Sequence, residues 1–541
     1  MTPPIPLVTL EQFETDYRDR HLIHAAVDYW AARRPGEPAI VNATRGSKVT
    51  WDELRRGSMA YAAELHRMGF RHGDFLAASL PLLDDHILLE YACFRLGVIH
   101  TPLDLRLQPA EVVRCLNLVR PKGYFFFAPA LGEAARGGCD SIEHLVPVTA
   151  LAQFRDRALA NPAALPPGPS EYDGAQVIFT TGSTGSPKPA LLSHRGITCQ
   201  NLCLATGFHF SPDQRVLCNL PASHVGGQAE ILMTSLFGGA TAVTLEIFDA
   251  VKSLEAIEQH GVTLIGQIPA MFQLEWRTAD FARRDFSGLQ FAVYGGQAVP
   301  RPFLDRMLRM APRIATGLGL TEASGFCTYT ALTPDAVGLE RSGIGWAMPA
   351  YRLAIRQPMT AEGNAGAELP PGEVGHICFQ GPQNFLGYVN DPQSTAAALS
   401  KDGWLYTGDL GFFDQHGAHF SGRAKWVLKV AGHQVFPGDV ENYFSALSLP
   451  VANVGVVGHQ HHLWGEAIIA FVERQPGAEI AEADLRKHAR GLTAYMRPLH
   501  YAILDPGAMP LNRSAKVDVT RLEQMAREQV AKLRARGRWD S

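Results

Sequence analysis

The sequence lacks three features that would place it in a specialised class of protein. Its charges nearly balance, with 49 lysines and arginines against 53 aspartates and glutamates. No excess of positive charge therefore indicates nucleic acid or an acidic membrane surface as a partner. The chain has no run of about 18 to 20 apolar residues, and its first residues show no basic segment followed by an apolar block. We expect a cytoplasmic protein that has neither a nucleic acid nor a membrane as its partner.

Cysteine is scarce and scattered along the chain. None of the eight cysteines belongs to a CxxC pair, and none follows Cys378. Spacing of this kind is typical neither of a disulfide framework nor of a zinc site. We therefore expect the cysteines to be reduced residues of the hydrophobic core.

The sequence does contain a regular alternation of short β-rich segments and longer amphipathic segments. "AQVIFT" precedes "HRGITCQNLCLATGF", "VTLIGQI" precedes "PAMFQLEW", and "LQFAVYGG" precedes "RPFLDRMLRM". Earlier, "TWDELRRGSMAYAAELHRMG" is followed by "FLAASL" and "DHILLEYACFRLG". The alternation predicts an α/β fold with helices covering largely parallel sheets. Ligands of such folds bind at the loops that follow the carboxyl ends of the strands.

The length of 541 residues predicts two or more domains. The proline-rich segment "NPAALPPGPSEYDG" is predicted to separate two α/β parts as a surface connection. After "FSGRAKWVLKVAGHQVFPGDVENYF" the elements become short and mixed, as in a small α+β unit. We predict a large N-terminal domain over residues 1–424 and a small, mobile α+β C-terminal domain over residues 425–541.

A glycine-rich loop, "TTGSTGSPK", lies between the β-rich segment "AQVIFT" and the amphipathic segment "HRGITCQNLCLATGF". Gly182 and Gly185 allow the backbone to direct successive N–H groups into one concavity, which suits a phosphate chain. The loop also carries side chains that can donate hydrogen bonds to phosphate oxygens. These belong to Thr180, Thr181, Ser183, Thr184 and Lys188. Prolines flank the lysine and no serine or threonine follows it, so the segment is not a Walker loop. It is predicted to be a phosphate-binding loop of another kind.

Four later segments suit the same ligand. "TGLGLTEASG" places Thr321 and Glu322 in a glycine-rich turn after a strand-like segment. "YTGDLG" places Asp409 between two glycines, where a carboxylate can accept hydrogen bonds from two ribose hydroxyls. Arg423 follows in "GRAKWVLK", and "PLNRSAKVD" carries Lys516 in a turn near the C-terminus.

In this order and spacing, the segments resemble those of the superfamily of adenylate-forming enzymes. This superfamily comprises acyl- and aryl-CoA ligases, adenylation domains of peptide synthetases, and luciferases. The resemblance runs from about residue 20 to about residue 525. It implies that a carboxylate attacks the α-phosphorus of ATP, releasing pyrophosphate and leaving an acyl-AMP. The acyl group then passes to a nucleophile, most often the thiol of coenzyme A.

The resemblance also implies a function for each matched residue that binds the nucleotide. The β- and γ-phosphates would be held by Thr180, Thr181, Ser183, Thr184 and Lys188. Thr321 would contact the α-phosphate, and Glu322 would ligate Mg²⁺. Asp409 would bind the ribose hydroxyls, with Arg423 beside it. Lys516 would bridge the carboxylate and α-phosphate oxygens in catalysis. The surroundings of the adenine would be formed by Gly295, Gly296, Gln297, Gly317 and Leu318.

The same resemblance predicts a pocket for the acid and a hinge between the domains. His224 matches a position between the acid pocket and the tunnel of the nucleophile, although a histidine beside glycines can also be purely structural. The predicted pocket residues are His224, Val225, Gly226, Gly227, Tyr294, Gly319 and Ala323. Lys425 matches the position about which the small domain rotates after adenylation. An exposed lysine at a domain junction would explain the residue type equally well.

Four positions depart from the pattern of the superfamily. Pro189 and Ala515 replace glycines, Leu318 replaces an aromatic residue, and residues 438–441 read "GDVE". None of these changes removes a charged catalytic group, so we expect adenylation to be retained. They set the protein apart from the most common CoA ligases, which leaves the second half-reaction less defined.

The class of acid is inferred from the absence of an aspartate shortly after His224. Amino-acid-activating domains carry an aspartate shortly after this position, whereas the first acidic residue here is Glu230. We therefore expect a non-amino monocarboxylic acid, and the nearby glycines favour a cyclic or aromatic one. The leading hypothesis is an ATP- and Mg²⁺-dependent acid–thiol ligase that uses coenzyme A. The alternatives are an amide synthetase that uses an amine acceptor and an enzyme that loads a separate carrier protein.

Overall fold

A computed structural model describes residues 3–161, 163–181, 187–445, 449–511 and 517–540 of the chain. The helices of these residues are α1 (Leu10–Asp16), α2 (Ile23–Arg33), α3 (Trp51–Arg67), α4 (Asp84–Leu96), α5 (Pro109–Val119), α6 (Pro129–Gly138), α7 (Leu151–Ala160), α8 (His194–Phe208), α9 (Thr234–Gly238), α10 (Ala250–Gln259), α11 (Pro269–Trp276), α12 (Arg301–Met307), α13 (Ala336–Arg341), α14 (Pro392–Ala398), α15 (Pro437–Ser445), α16 (Glu482–His488) and α17 (Val519–Ala535).

The strands are β1 (Pro38–Asn42), β2 (Ser47–Thr50), β3 (Phe75–Ser79), β4 (Ile99–Pro102), β5 (Gly123–Phe126), β6 (His144–Pro147), β7 (Gly174–Thr181), β8 (Pro187–Ser193), β9 (Arg215–Cys218), β10 (Thr241–Thr244), β11 (Leu264–Gln267), β12 (Phe291–Tyr294), β13 (Arg313–Thr316), β14 (Gly319–Leu320), β15 (Gly325–Phe326), β16 (Arg352–Arg356), β17 (Gly375–Gln380), β18 (Gly387–Tyr388), β19 (Leu405–Asp414), β20 (Gly417–Arg423), β21 (Leu428–Val430), β22 (His433–Val435), β23 (Val451–His461), β24 (Gly465–Arg474) and β25 (His500–Leu504).

Two seven-stranded sheets form the centre of the N-terminal part. One has the strand order β13-β12-β11-β9-β10-β1-β2, and the other has the order β18-β8-β7-β4-β3-β5-β6. Most neighbouring pairs are parallel, and the antiparallel pairs lie at the ends β1–β2, β7–β8 and β8–β18. Short apolar strands alternating with amphipathic helices build these sheets, because each helix buries its apolar side against a sheet face. The predicted α/β class is confirmed.

The proline-rich segment does not separate the two sheets, so this part of the prediction is wrong. Strands β1 and β2 precede that segment but belong to the sheet of β9–β13, and β7 and β8 follow it but complete the sheet of β3–β6. The sheets exchange strands because β1 pairs with β10 and β7 pairs with β4, contacts that local composition does not encode. The segment itself is a connection without regular secondary structure.

A third sheet and a small α+β part follow. The strands β16-β17-β19-β20 form an antiparallel sheet, and a last sheet has the order β22-β21-β24-β23, with β25 parallel to β24. Helix α15 packs against β23 on one side of that sheet, and α17 packs on β23 through a separate apolar cluster. A large N-terminal and a small C-terminal part are therefore present, as the fold class predicted.

Local signals explain where several elements begin and end. Helix α3 begins with a capping box in which the Thr50 side chain accepts from the Glu53 N–H and the Glu53 carboxylate accepts from the Thr50 N–H. Helix α4 ends at Gly97, which adopts φ +73°. The segment "GGQAEILM" is a π-helix over Gly226–Met233 that continues into α9. All eight cysteines are free and buried, as expected.

In the part of the chain that the structure describes, no helix is long and apolar enough to cross a membrane.

Candidate active site

The predicted phosphate loop connects β7 and β8, which form an antiparallel hairpin. In its register Thr180 lies opposite Lys188, so both residues lie at the end of the hairpin from which the connecting loop leaves. The Thr180 Oγ1 atom is buried and has no hydrogen-bond partner among the described residues. Ser183, Thr184 and the side chain of Thr181 lie outside the described part of the chain. A buried hydroxyl without a partner is consistent with a loop that binds phosphate, because a phosphate oxygen would accept its hydrogen bond.

Lys188 and Glu322 are linked through Tyr388. The Tyr388 hydroxyl donates to Glu322 Oε1 at 2.6 Å, and Lys188 Nζ lies 5.2 Å from the centroid of the Tyr388 ring. Lys188 Nζ also donates to Ser394 Oγ at 2.9 Å. Burial, and then the charge of Glu322, raise the pKa of Tyr388 well above its ordinary value, so its hydroxyl remains a donor. Sequence reasoning missed Tyr388 and Ser394.

Tyr388 is positioned by strand β18. This short strand pairs with β8, and the Val389 N–H donates to the Pro189 carbonyl at 2.9 Å. The Pro189 carbonyl thus accepts a hydrogen bond from the residue that follows Tyr388. The glycine and the "VNDP" turn around Tyr388 predict a chain reversal, but nothing in the local pattern predicts its contact with Glu322.

Glu322 lies in a one-turn 3₁₀ helix, Thr321–Ala323, which ends at Ser324 in a left-handed conformation with φ +59°. The Ser324 hydroxyl donates to the Gln383 carbonyl at 3.0 Å, which stabilises this conformation. The turn lies against both β8, the strand that carries Lys188, and β19, the strand that carries Asp409. Thr321 and Ala323 are buried, whereas Glu322 is partly exposed. A partly exposed carboxylate beside a threonine hydroxyl offers the hard oxygen ligands that Mg²⁺ prefers.

Asp409 and Arg423 form an ion pair across two strands. They lie opposite each other on β19 and β20, and Arg423 Nε is 2.8 Å from Asp409 Oδ1. Asp409 is only 3% exposed, while Arg423 is largely exposed. The Thr407 hydroxyl accepts from the Asp409 N–H at 3.1 Å, and Gly408 between them has φ +77°. The structure thus brings the two predicted ribose-binding residues together.

Three carboxylates of this region act electrostatically on the buried thiol of Cys327. Burial is the main cause that raises the pKa of the Cys327 thiol, and the charges of Glu230, Asp409 and Glu322 add to it. The predicted metal ligand and the predicted ribose ligand are therefore near each other. Glu230, to which sequence reasoning gave no function, is part of the same region.

The predicted adenine surroundings lie at the carboxyl ends of β12 and β13. The Thr316 hydroxyl donates to the Tyr294 carbonyl at 2.8 Å and joins the two strand ends. Gly295 and Gly296 follow β12, and Gln297 is exposed. A β-carbon at Gly317 would lie 1.9 Å from the Thr328 carbonyl oxygen, so only glycine fits there. The Leu318 N–H donates to the Thr328 hydroxyl at 2.8 Å.

Phe326 is a residue of this region that sequence reasoning missed. Its ring tip would lie 3.0 Å from a β-carbon at Gly295, and its ring also borders Gly317. The aromatic ring therefore packs beneath the two glycine segments. An isolated phenylalanine after a glycine offers no sequence signal for such a position.

Four of the residues predicted to line the acid pocket, residues 224–227, lie at the start of the π-helix. His224 is exposed, and its Nδ1 accepts from the Gly226 N–H at 3.1 Å. Val225 is buried, and Gly227 lies so close to Pro221 that a β-carbon would be 2.3 Å from its carbonyl oxygen. The carboxyl group of Glu230 lies beside both Gly226 and Gly319, two of the predicted pocket residues. The π-helix and the β14–β15 hairpin thus meet here.

Lys425 lies between β20, the last strand of the antiparallel sheet, and β21, the first strand of the C-terminal sheet. It is exposed, and its Nζ lies 4.5 Å from the Trp426 ring centroid. Its position agrees with the predicted junction, while its function as a hinge stays a prediction. Lys516 lies outside the described residues.

The two parallel sheets, with glycine-rich loops at the carboxyl ends of their strands and a small α+β part after them, are the fold of an adenylate-forming enzyme. A family model described as AMP-binding enzyme matches residues 27–389, and one for the AMP-binding enzyme C-terminal domain matches residues 439–516. The chain therefore belongs to the AMP-binding enzyme family of adenylate-forming ligases.

Relatives of known name match nearly the whole chain. The chain is 28% identical to 4-coumarate–CoA ligase 5 of Oryza sativa subsp. japonica, with 92% of this chain and 93% of that protein covered. It is also 28% identical to the fatty acid–[acyl-carrier-protein] ligase ScoC of Streptomyces coeruleorubidus, with 90% and 93% covered. The crystal structure of ATP-bound MatB from Rhodopseudomonas palustris has the same fold, with a TM-score of 0.82, 23% identity, and 94% and 99% covered.

Proposed function

We propose that this enzyme activates a carboxylic acid with ATP and then transfers the acyl group to the thiol of coenzyme A. In the first step a carboxylate oxygen bonds to the α-phosphorus and pyrophosphate leaves. In the second step the thiol sulfur bonds to the acyl carbon, AMP leaves, and the thiol proton is released. The observation that carries the proposal is the grouping of Lys188, Glu322 and Asp409 around the Thr321–Ala323 turn.

The hairpin and the turn would hold the triphosphate. Thr180 and Lys188 would donate to the β- and γ-phosphates together with Thr181, Ser183 and Thr184, and Thr321 would donate to the α-phosphate. Glu322 would ligate Mg²⁺, which when bound neutralises charge on the phosphate oxygens. The Tyr388 hydroxyl would orient the Glu322 carboxylate, because it already donates to one of its two oxygens.

The nucleoside would be bound by the antiparallel sheet and by the ends of β12 and β13. Asp409 would accept hydrogen bonds from the ribose hydroxyls, with Arg423 fixing its orientation. Gly295, Gly296, Gln297, Gly317 and Leu318 would border the adenine. Since Leu318 has no aromatic face, it would contribute apolar contact rather than ring stacking.

For the acid, we propose a non-amino monocarboxylic acid with a cyclic or aromatic body. The support is the set of small residues Gly226, Gly227, Gly319 and Ala323 among the predicted pocket residues, which also include His224, Val225 and Tyr294. The name of the rice relative, which is a ligase of 4-coumarate, agrees with an aromatic acid.

Coenzyme A is the proposed acceptor because the rice relative is named as a CoA ligase over nearly the same length. A separate carrier protein is a second candidate, supported by the name of ScoC. Neither relative reported above is named as an amide ligase, so the amine alternative has no support from them.

The two half-reactions would be separated by a rotation of the C-terminal domain, residues 425–541, about Lys425. Lys516 would stabilise the negative charge that develops on the carboxylate and α-phosphate oxygens, and then withdraw. The support is the location of Lys425 between the last strand of one sheet and the first strand of the next.

A panel of acids with ATP and Mg²⁺ tests the proposal. Pyrophosphate release should depend on the acid, and addition of coenzyme A should convert the acyl-AMP into a thioester. The same reaction offered amines, or a carrier protein with a phosphopantetheine thiol, compares the acceptors. Amide formation without thioester formation would overturn the choice of coenzyme A, and no pyrophosphate release with any acid would overturn the activation step.

A further inference from the structure

Glu230 places a carboxyl group beside Gly226 and Gly319, two of the predicted pocket residues, and forms no ion pair with any residue that the structure describes. It is 9% exposed and lies on the π-helix Gly226–Met233. Among the described residues its carboxyl group has no ion pair and no hydrogen bond. A buried carboxyl group in this situation lowers stability, so its presence calls for a functional reason.

A second polar group of the same pocket is also unpartnered. Gln200 on α8 is fully buried, and its Oε1 accepts from Asn201 Nδ2 at 2.9 Å. Its Nε2, a hydrogen-bond donor, has no partner among the described residues. A buried donor that stays unsatisfied lowers stability, unless a ligand satisfies it.

The two groups converge on one point of the β14–β15 hairpin. A β-carbon at Gly325 would lie 3.0 Å from Glu230 Oε1 and 3.0 Å from Gln200 Nε2. On the other strand, a β-carbon at Gly319 would lie 2.9 Å from Glu230 Oε1. A side chain at either position would collide with the Glu230 carboxyl group, so glycine at both allows the hairpin to approach the polar pair closely. At the start of the π-helix, Gly226 borders the other oxygen, Oε2, at 3.2 Å from its β-carbon position.

We propose that Glu230 and Gln200 determine substrate specificity by binding a hydroxyl group on the body of the acid. This inference rests on the proposed acid activation and narrows the acid to hydroxy-substituted cyclic or aromatic carboxylic acids. The hydroxyl donates to the Glu230 carboxylate and accepts from Gln200 Nε2, so it satisfies both groups at once.

A hydroxyl group is complementary to this pair in both ionisation states of Glu230. Towards the ionised form, a carbonyl or ether oxygen accepts from Gln200 but gives Glu230 no donor, and an ammonium group donates to Glu230 but cannot accept from Gln200. Burial raises the pKa of Glu230 to about 8, so its neutral form predominates near pH 7. A hydroxyl remains complementary to that form, because it can accept from the carboxylic acid proton.

Matched pairs of acids that differ by one hydroxyl group test the inference. The pairs are benzoate with its 2-, 3- and 4-hydroxy derivatives, and cinnamate with its three ring-hydroxylated derivatives. The measurement is kcat/KM for pyrophosphate release, with direct binding of each acid by calorimetry as a second readout. For at least one isomer we expect the wild type to prefer the hydroxylated acid by about tenfold or more, as a site built around a hydroxyl does.

Substitutions of Glu230 and Gln200 test whether these two residues cause the preference for the hydroxylated acid. Glu230→Leu and Gln200→Leu should each bring the ratio of hydroxylated to unsubstituted acid close to one, mainly through KM for the acid, with KM for ATP unchanged. Glu230→Gln keeps a polar group of the same shape and should retain part of the preference. Gln228→Leu is the matched control, since it removes a buried amide two residues earlier in the same π-helix.

Three results would overturn the inference while leaving acid activation intact. The first is a wild type that releases pyrophosphate but prefers the unsubstituted acid in every pair. The second is a preference that survives both leucine variants. The third is an equal loss of preference in Gln228→Leu, which would attribute it to the segment as a whole. If Glu230→Leu fails to fold, Gln200→Leu and Glu230→Gln carry the same comparison. Absence of pyrophosphate release from the wild type with every acid would instead contradict the proposed function.

Discussion

Tyr388 shows how a single hydroxyl can prepare a metal-binding carboxylate. Its bond to Glu322 Oε1 occupies one oxygen of the carboxylate and fixes the orientation of the other. Because burial keeps the tyrosine protonated, it donates over the whole physiological pH range. We therefore treat Tyr388 as a positioning residue that acts through Glu322.

At the residue scale, Glu322→Gln and Tyr388→Phe should have different effects on the rate of adenylation and on its Mg²⁺ dependence. Glu322→Gln removes the charge that would bind Mg²⁺ and should lower adenylation by about 100-fold or more. Tyr388→Phe should lower it by only about tenfold and raise the Mg²⁺ concentration for half-maximal rate, because the carboxylate keeps its charge but loses its orientation. Mg²⁺ titrations of pyrophosphate release measure both effects.

Tyr61→Phe is the control for the tyrosine variant. Tyr61 also donates to a carboxylate at 2.6 Å, that of Asp85, but between helices α3 and α4 of the N-terminal part. It should leave the Mg²⁺ dependence unchanged. An unaltered Mg²⁺ dependence in Tyr388→Phe would remove this residue from its assigned position in the site.

At the scale of the element, the turn after β13 depends on a glycine that tolerates no side chain. Gly317→Ala would place a methyl group 1.9 Å from the Thr328 carbonyl oxygen, so the turn and the strand beyond it must move apart. We expect a loss of roughly 3 kcal/mol in the free energy of unfolding, together with weaker ATP binding. Urea denaturation and the KM for ATP measure the two effects.

Gly137→Ala is the matched control for this substitution. Gly137 lies in helix α6, and a β-carbon there would meet nothing within 4 Å. Alanine favours the helix by about 1 kcal/mol, so stability should be equal or higher. Equal stability of the two variants would show that the segment around Gly317 can relax without cost.

A second element-scale prediction concerns the attachment of α15 to β23. Glu441 on α15 accepts from the Val456 N–H at 2.8 Å, and burial raises the pKa of its carboxyl group to about 7. Between pH 4.5 and 7 the folded protein therefore holds a proton that the unfolded chain, with its ordinary value of 4.5, has lost. The free energy of unfolding should fall across this window as the pH rises, by up to roughly 3 kcal/mol from this residue.

Glu441→Gln should make that decline shallower, because an amide oxygen can still accept from Val456 but does not ionise. Unfolding curves at several pH values between 4.5 and 7.5 measure the slope. Glu528→Gln, at an exposed position of α17, should leave the slope as in the wild type. An identical slope in Glu441→Gln would contradict the assignment.

At the scale of the whole molecule, the proposed rotation separates two half-reactions that one active site could not serve in a single arrangement. Lys516→Ala should abolish adenylation while leaving transfer from a supplied acyl-AMP largely intact. Loss of both steps to the same degree would remove Lys516 from its assigned function. Pyrophosphate release and thioester formation, measured separately, distinguish these outcomes.

Lys425→Pro should have the opposite effect. Proline fixes φ near −65° and so restricts the predicted hinge, which should block transfer but retain adenylation. Lys425→Ala keeps the backbone free and should leave both steps within about threefold of the wild type. Unchanged transfer in Lys425→Pro would place the hinge elsewhere.

Many of the helices and strands could be predicted because the signals that define them are local in the sequence. Apolar periodicity indicates each helix and strand, and capping residues such as Thr50 with Glu53 define where helices begin. The grouping of these elements into sheets could not be predicted, because the pairing of β1 with β10 and of β7 with β4 joins strands far apart in sequence. The π-helix was likewise missed, since apolar spacing does not distinguish it from an α-helix.

The sequence by itself determined the family, the order of the phosphate, metal and ribose segments, and the α/β class, because these depend on residue types at fixed spacing. Only the tertiary structure decided that Tyr388 contacts Glu322 and that Glu230 and Gln200 meet beside a glycine hairpin. The physical reason is that hydrogen bonding and burial depend on which distant segments share a site. A glutamate in "GGQAEILM" becomes a specificity residue only where the fold buries it beside another unpartnered group.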